Sequence, residues 1–479
     1  MLPDYKFSIR PLIVVGLVAG MSVACNKIVQ IQAPPTQIAA STAFADNATA
    51  ASVLTGIYDQ IQGNGAFAGG LQSLTLLGGL SADELQLYSS TGFSANDVGY
   101  YKNAVPNSST LLWSEPYKYI YDANAAIEGL KDSTAGVSAS VRQQLTGEAK
   151  FIRAFFYFYL TNLFGDVPLA TTTSYTVNNN LPRTPKAQVY QQIVADLKDA
   201  QNSLSPDFLS TDAVTVTVDR VRPTKWAATA LLARVYLYTG DWASAQAQAT
   251  TVINNTGSFS ILANLNSVFL KNSREAIWEL PPVIPGENTL DGQTFILTTA
   301  PNSIRPVALS SELVNAFEPG DKRDTVWVGN ITRVGKTYYY PHKYKAGFVP
   351  GSTPTEYLMM LRLSEQYLIR AEAEAQQNDT ADARKDVDVI RNRAGLPNST
   401  VAADKDSLLA AILHERQVEF FAEWGHRWLD LKRTGTIDAV MPAVDAIKGG
   451  TWASYKQLFP IPLSDMQKDP QLTPQNSGY

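Results

Sequence analysis

The chain has 479 residues, of which 45% are hydrophobic and 17% charged, and its formal net charge is −5. This composition is typical of a globular protein, and the lack of a basic tail or stripe disfavours a nucleic-acid partner. One cysteine and three histidines supply too few sulfur and imidazole ligands to predict a structural zinc site. We therefore predict neither a bound metal nor a cofactor.

Residues 1–24 have the features of a secretory signal. Lys6 and Arg10 precede the apolar stretch Pro11–Ala24, and small residues lead up to Cys25. The stretch is shorter than the roughly 20 apolar residues of a membrane span. The position of Cys25 resembles a bacterial lipoprotein signal, in which the cysteine is lipidated and becomes the first residue of the mature chain. An ordinary signal peptide followed by an unmodified cysteine is the alternative.

After Cys25 we predict a flexible tether over residues 25–46, which are polar and include two prolines, and then a single domain over residues 47–479. The segment Tyr88–Ser109, rich in Asn, Ser and aromatic residues, is predicted to be a loop. Apolar residues at three- and four-residue steps predict amphipathic helices at Asn47–Gln62, Trp113–Lys131, Val141–Phe164, Pro185–Leu204 and Pro223–Gly240.

One helix pair is repeated, first at Trp226–Ile253 and again at Leu361–Ala394. In each pair a helix with small residues ends at a tight turn, and an aspartate, Asp241 or Asp379, is placed to cap the second helix. This pattern is that of tetratricopeptide-like repeats, with a chance similarity of two alanine-rich hairpins as the alternative.

Between the two pairs, residues 281–358 contain many Pro, Gly and Asn residues and short apolar runs. The segment is too long for a simple connection, so we predict a loop- and strand-rich insertion that forms the ligand-binding region. The predicted fold class is mainly α, a superhelix of tetratricopeptide-like pairs with its scaffold at residues 111–280 and 361–435.

The segment Ile412–Arg433 has the densest cluster of charged residues. Glu415, Glu419 and Glu423 recur every four residues, which predicts that they share one helical face. A glycosidase needs two carboxyl groups that face each other across the substrate, about 5–9 Å apart, and carboxylates stacked along one helix do not do so. We therefore predict a buried network of ion pairs to arginine, and no catalytic residue.

Several stretches resemble, in their order along the chain, the SusD/RagB family of outer-membrane glycan-binding lipoproteins. They include Gly147–Ala154 followed by Leu163–Pro168, then Pro223–Trp242, Ile390–Leu396, Ile412–Arg433 and the ending Leu458–Tyr479. The resemblance extends over nearly the whole mature chain. It implies four tetratricopeptide-like pairs, glycan binding at the cell surface without hydrolysis, and a role as the lid of a SusC-like TonB-dependent transporter. It also implies anchoring to the outer membrane through lipid on Cys25.

The family motifs belong to the scaffold, so the binding site is predicted from side-chain chemistry. Sugar recognition uses aromatic rings beside polar side chains. Two regions offer this mixture, one following the acidic pair Asp83-Glu84 and one in the insertion. The predicted ligand contacts are Asp83, Tyr88, Phe93, Asn96, Tyr101, Phe295, Arg305 and Tyr338.

The main hypothesis is a non-enzymatic glycan-binding lipoprotein. Capture of peptides or other nutrients on the same scaffold is a narrower variant of it. A lipoprotein glycoside hydrolase and a helical-repeat assembly factor are the alternatives from other functional classes.

Overall fold

The computed structural model describes residues 42–63, 67–88, 95–132, 136–347 and 353–479, without the side chains of residues 95–97. The predicted signal, Cys25 and most of the predicted tether lie outside these ranges. Among the helices in these ranges, none combines the length and the apolar character needed to cross a membrane.

The first half of the described chain is dominated by helices. They are α1 (Asn47–Gln62), α2 (Leu74–Ser81), α3 (Ala95–Tyr101), α4 (Ser114–Asp132), α5 (Ala139–Phe164), α6 (Tyr175–Asn178), α7 (Lys186–Ser203), α8 (Lys225–Thr239) and α9 (Trp242–Ile253). Short helices follow in the insertion, namely α10 (Leu290–Phe295), α11 (Ser311–Val314) and α12 (Lys322–Val326). The rest are α13 (Leu363–Gln376), α14 (Thr380–Arg393), α15 (Lys405–Phe420), α16 (His426–Arg433), α17 (Ile437–Ile447) and α18 (Leu463–Lys468).

The strands are short and form two-stranded antiparallel sheets. They are β1 (Leu85–Leu87), β2 (Val167–Pro168), β3 (Arg183–Thr184), β4 (Ala276–Leu280), β5 (Val307–Leu309), β6 (Val328–Arg333), β7 (Lys336–Pro341) and β8 (Leu358–Arg362). Strand β1 pairs with β5, β2 with β3, β4 with β8, and β6 with β7. Three of these strands, β5, β6 and β7, lie within the insertion, as the sequence predicted, and β4 and β8 join it to the scaffold.

The repeated helix pairs are confirmed as α8–α9 and α13–α14. The Asp241 carboxylate accepts a hydrogen bond from the Ser244 N–H at 3.2 Å, and Asp379 caps α14 in the same way. Ala233 and Ala371, on the first helix of each pair, are fully buried, which allows close helix contacts. Helix α9 packs directly on α13, so the helical stack continues past the insertion that separates them in sequence.

Helix α1 begins where the sequence predicts, because Asp46 and Thr49 form a reciprocal capping box. The predicted loop at Tyr88–Ser109 is wrong in one part, since α3 lies within it. Tyr100 is buried there and its ring meets Phe459 edge to face, with centroids 4.9 Å apart. Tertiary packing therefore overrides the weak helix propensity of this segment.

The predicted ion-pair network is confirmed. The buried carboxylate of Glu419 accepts hydrogen bonds from three guanidinium groups, with Arg323 at 3.0 Å, Arg362 at 2.5 Å, and Arg393. Burial alone would raise the pKa of Glu419, but these cations hold it well below its usual range. Glu423 joins the network through Arg362 from the turn after α15, so the predicted helical face holds only two of the three glutamates.

Candidate functional site

The structure brings one residue from each predicted binding region into contact. Tyr88 follows β1, and its N–H donates to the Pro306 carbonyl at 2.9 Å, which extends the pairing of β1 with β5. Strand β7 lies beside β5 and carries Tyr338. The two tyrosine rings consequently meet edge to face, with centroids 5.1 Å apart and planes at 81°.

Lys336 completes this cluster. It precedes Tyr338 by two residues on β7, so both side chains leave the same face of the strand. Its ammonium nitrogen lies 4.5 Å from the Tyr88 ring centroid and 5.3 Å from that of Tyr338, within cation–π range. We call Tyr88, Lys336 and Tyr338 the tyrosine face.

Sequence reasoning missed Lys336. Its signal is the period-two alternation of the hairpin strand, which places Lys336, Tyr338 and Tyr340 on one side and Tyr339 on the other. Register confirms the alternation, because Tyr338 lies opposite Ile331 and Tyr340 opposite Gly329.

A tight hairpin holds the tyrosine face. Val334 and Gly335, which connect β6 to β7, have φ angles of 49° and 73°, as a two-residue hairpin turn requires. The Tyr340 ring lies over Gly329, where any side chain would overlap it. The backbone that carries Tyr338 is thus fixed by both turn and packing, which suits a preformed binding surface.

The rim of the site comes from the loop before β5. Arg305, a predicted contact, is half-buried, and its Nε donates to the Gln293 carbonyl at 2.9 Å. Its N–H is held by the Asn302 side chain at 3.1 Å. From the hairpin, Arg333, which lies opposite Lys336, donates to the Thr298 carbonyl at 3.3 Å.

Asp83, a predicted contact, is buried, and its carboxylate accepts hydrogen bonds from Arg427 at 2.8 and 2.7 Å. Such pairing satisfies a buried charge and leaves it unavailable to a ligand. Burial, with help from Asp83, raises the pKa of Glu84 to about 8, although Lys343 and Arg427 oppose the shift.

Two more predicted contacts belong to the core. Tyr101 and Phe295 are 5% and 3% exposed, so their rings cannot form a platform for a ligand. The burial follows from their helices, since each closes a short helix that packs inward. Phe93 lies outside the described residues, and Asn96 lies on α3 among the side chains that are not described.

The tyrosine face offers apolar ring surface, hydroxyl groups and an ammonium group. Tyr88 is 39% exposed and Tyr338 half-buried, so ligand can reach both rings. The polar groups of the tyrosine face are two phenols and one ammonium group, whereas a glycosidase needs a facing pair of carboxyl groups. No cluster of metal-ligating side chains occurs among the residues that the structure describes. The arrangement therefore suits binding by stacking and hydrogen bonds.

Two family models match the chain. A model described as "SusD family" matches residues 322–479, and one described as "Starch-binding associating with outer membrane" matches residues 47–237. The first match includes the residues of the ion-pair network around Glu419. The second match includes α1 to α7 and most of α8. Together they support the resemblance drawn from the sequence motifs.

Similar proteins span most of the chain. A SusD-like protein of Formosa agariphila is 24% identical over 95% of this chain and 97% of its own length. The starch-binding protein SusD of Bacteroides thetaiotaomicron is 24% identical, over 73% of this chain and 75% of its own.

Solved structures share the fold. A SusD superfamily protein from Bacteroides vulgatus superposes with a TM-score of 0.77 at 21% identity, covering 91% of this chain and 99% of that one. A laminarin-binding SusD-like protein gives 0.72 at 24% identity, covering 91% of this chain and all of the other. The family models, the relatives and the solved structures together support a SusD/RagB family protein.

Proposed function

We propose that this protein binds glycan on the tyrosine face without chemically altering it. The observation that carries the proposal is the contact of Tyr88 with Tyr338, capped by Lys336, on an accessible surface. A flat tyrosine ring covers the apolar C–H face of a sugar, while phenol hydroxyls and ammonium groups hydrogen-bond its hydroxyls. Such contacts are individually weak, so we expect affinity that rises with chain length.

The relatives suggest which glycans to try first. One similar protein is named as starch-binding and another as laminarin-binding. Both names refer to glucans without charge, and the three residues that define the tyrosine face include no carboxylate that would select a cationic ligand. We propose a neutral polysaccharide as the ligand class, with peptide capture as the variant that the same scaffold permits.

We further propose that the protein is anchored in the outer membrane by lipid on Cys25 and serves as the lid of a SusC-like TonB-dependent transporter. The signal anatomy before Cys25 and the family matches support this part. Each buried CH₂ of lipid contributes about 0.8 kcal/mol, so several acyl chains would hold the protein at the membrane. Metabolic labelling with an alkyne fatty acid tests it, since Cys25→Ser should abolish the label.

The glycan proposal is tested with a polysaccharide array and affinity electrophoresis of the mature protein. We expect retardation by at least one neutral polysaccharide, and no release of reducing sugar from it. A protein that binds no glycan on the array contradicts the proposal. Release of reducing ends by purified protein would instead favour the hydrolase alternative.

A further inference from the structure

A cavity lies on the scaffold, and its lining shares no residue with the tyrosine face. Helix α4 supplies Tyr117, Tyr121 and Asn124, which share one helical side at steps of three and four residues. Facing them are Asn178 of α6 and the C-terminal Asp465. The cavity has a volume of about 350 Å³.

Aromatic rings form its floor and rim. The Trp113 and Tyr117 rings lie against each other, with centroids 4.9 Å apart and planes at 56°. Trp113 is 3% exposed and fixed by its indole N–H, which donates to Asp465 at 2.9 Å. Tyr121, by contrast, is 51% exposed, so its ring presents an open platform at the rim.

Asn178 and Asp465 both line the cavity, and their acceptor oxygens differ in accessibility. The Asn178 amide nitrogen donates to the Thr172 carbonyl at 2.8 Å. Its Oδ1 is buried and accepts no hydrogen bond from the protein within the residues described. The Asp465 side chain is 33% exposed, so its carboxylate is an acceptor that a ligand hydroxyl in the cavity can reach.

Size and charge narrow the ligand class. A volume of about 350 Å³ is near the lower end for ligand cavities and suits one or two pyranose rings. Asp465 and Asp469 outnumber Lys468 in the lining, which disfavours an anionic ligand. Carboxylates and amides beside an exposed ring are the groups that hold a polyhydroxylated ring.

We propose that this groove, defined by Trp113, Tyr117, Tyr121, Asn178 and Asp465, is a second saccharide site for a neutral sugar. This proposal rests on the proposed function, because it takes the ligand to be a saccharide. The ring of Tyr121 stacks on the sugar, and a sugar hydroxyl donates to the part-exposed carboxylate of Asp465. A long glycan then has two separate attachment points, which raises its affinity over that of a short one.

The test detects ligand in the groove through the NMR signal of Trp113. The indole N–H signal of Trp113 in the ¹⁵N-labelled protein, assigned by its loss in Trp113→Phe, is followed during titration. The probes are maltohexaose, laminarihexaose and any other oligosaccharide whose polymer the wild-type protein binds on the array. Titration is repeated in the Tyr338→Ala background, which weakens the tyrosine face alone. Tyr121→Ala is compared with Tyr175→Ala, whose side chain is 73% exposed on α6 outside the lining.

We expect a saturable shift of the Trp113 signal that persists in Tyr338→Ala. Tyr121→Ala should raise the dissociation constant of this titration about 5- to 10-fold, and Tyr175→Ala should leave it unchanged. If the protein binds glycan through the tyrosine face and the Trp113 signal does not move, the proposal of a saccharide site in the groove is overturned and the proposed function stands. Equal effects of Tyr121→Ala and Tyr175→Ala on the dissociation constant overturn the groove proposal in the same way. A wild-type protein that binds no glycan on the array overturns the proposed function and the groove together.

Discussion

Tyr88 and Tyr338 come from segments far apart in sequence, yet their rings meet edge to face with centroids 5.1 Å apart. The pairing of β1 with β5, and the packing of β7 beside β5, produce this contact. The first helical segments and the insertion therefore contribute to one surface, and neither alone would present both rings.

Truncating Tyr338 should weaken glycan binding. Tyr338→Ala removes ring surface from the tyrosine face, and we expect the dissociation constant to rise about 5- to 20-fold in isothermal titration. Tyr339→Ala is the matched control, because Tyr339 is 39% exposed on the opposite face of the same strand. Equal losses in the two variants would rule out a specific role for Tyr338.

The charge of Lys336 should matter separately from its bulk. Its ammonium lies over both tyrosine rings, so Lys336→Gln removes a cation that orients them and can hydrogen-bond sugar hydroxyls. We expect a loss of affinity of about 2- to 5-fold, with Lys336→Arg close to wild type since a guanidinium also stacks on aromatic rings. An unchanged affinity in Lys336→Gln, measured by the same titration, would contradict this role.

Glu419 should be essential for stability. Glu419→Gln leaves Arg323, Arg362 and Arg393 buried around a neutral group, and breaking a buried pair in this way costs about 3–5 kcal/mol. Urea denaturation of the mature protein measures the loss in free energy of unfolding. Asp382→Asn, which breaks the exposed pair with Lys385, is the control and should have no measurable effect. A loss below about 1 kcal/mol in Glu419→Gln would contradict the account of the network.

Asp291 should make stability depend on pH. Burial, with the nearby carboxylate of Glu423, raises the pKa of Asp291 from 3.8 to about 8. Between these values the folded protein retains a proton that the unfolded chain releases, so the free energy of unfolding falls as pH rises through this window.

Asparagine cannot ionise, so Asp291→Asn should gain stability relative to wild type between pH 5 and pH 8. The gain is at most about 1.4 kcal/mol per pH unit. Urea denaturation of both proteins across this range gives the difference, from which contributions of titrating groups that do not interact with Asp291 cancel. A difference that stays constant with pH would show that Asp291 is already ionised in the folded protein.

The helical scaffold was predictable because its signals are local. The Asp46 cap, the small residues of the paired helices and the Asp241 and Asp379 turns each specify structure within a few residues. Helix α3 was missed because its stability comes from the contact of Tyr100 with a ring near the other end of the chain.

The candidate site was only partly predictable for the same reason. The composition of the two regions identified Tyr88 and Tyr338, but it gave no sign that they touch. Asp83 looked like a ligand contact because its partner Arg427 lies far away in sequence, and an acidic residue without a local partner is expected to be exposed. Lys336 could have been predicted from the alternation of side chains along the hairpin strand, once the turn at Val334 is recognised.

The central claim, that glycan binds on the tyrosine face, is tested most directly by a crystal structure of the mature protein with a bound oligosaccharide chosen from the array. The account predicts a sugar ring in contact with the Tyr88 and Tyr338 rings, with Lys336 within hydrogen-bond distance of a sugar hydroxyl. An oligosaccharide bound elsewhere, with the tyrosine face bare at saturating ligand, would contradict it.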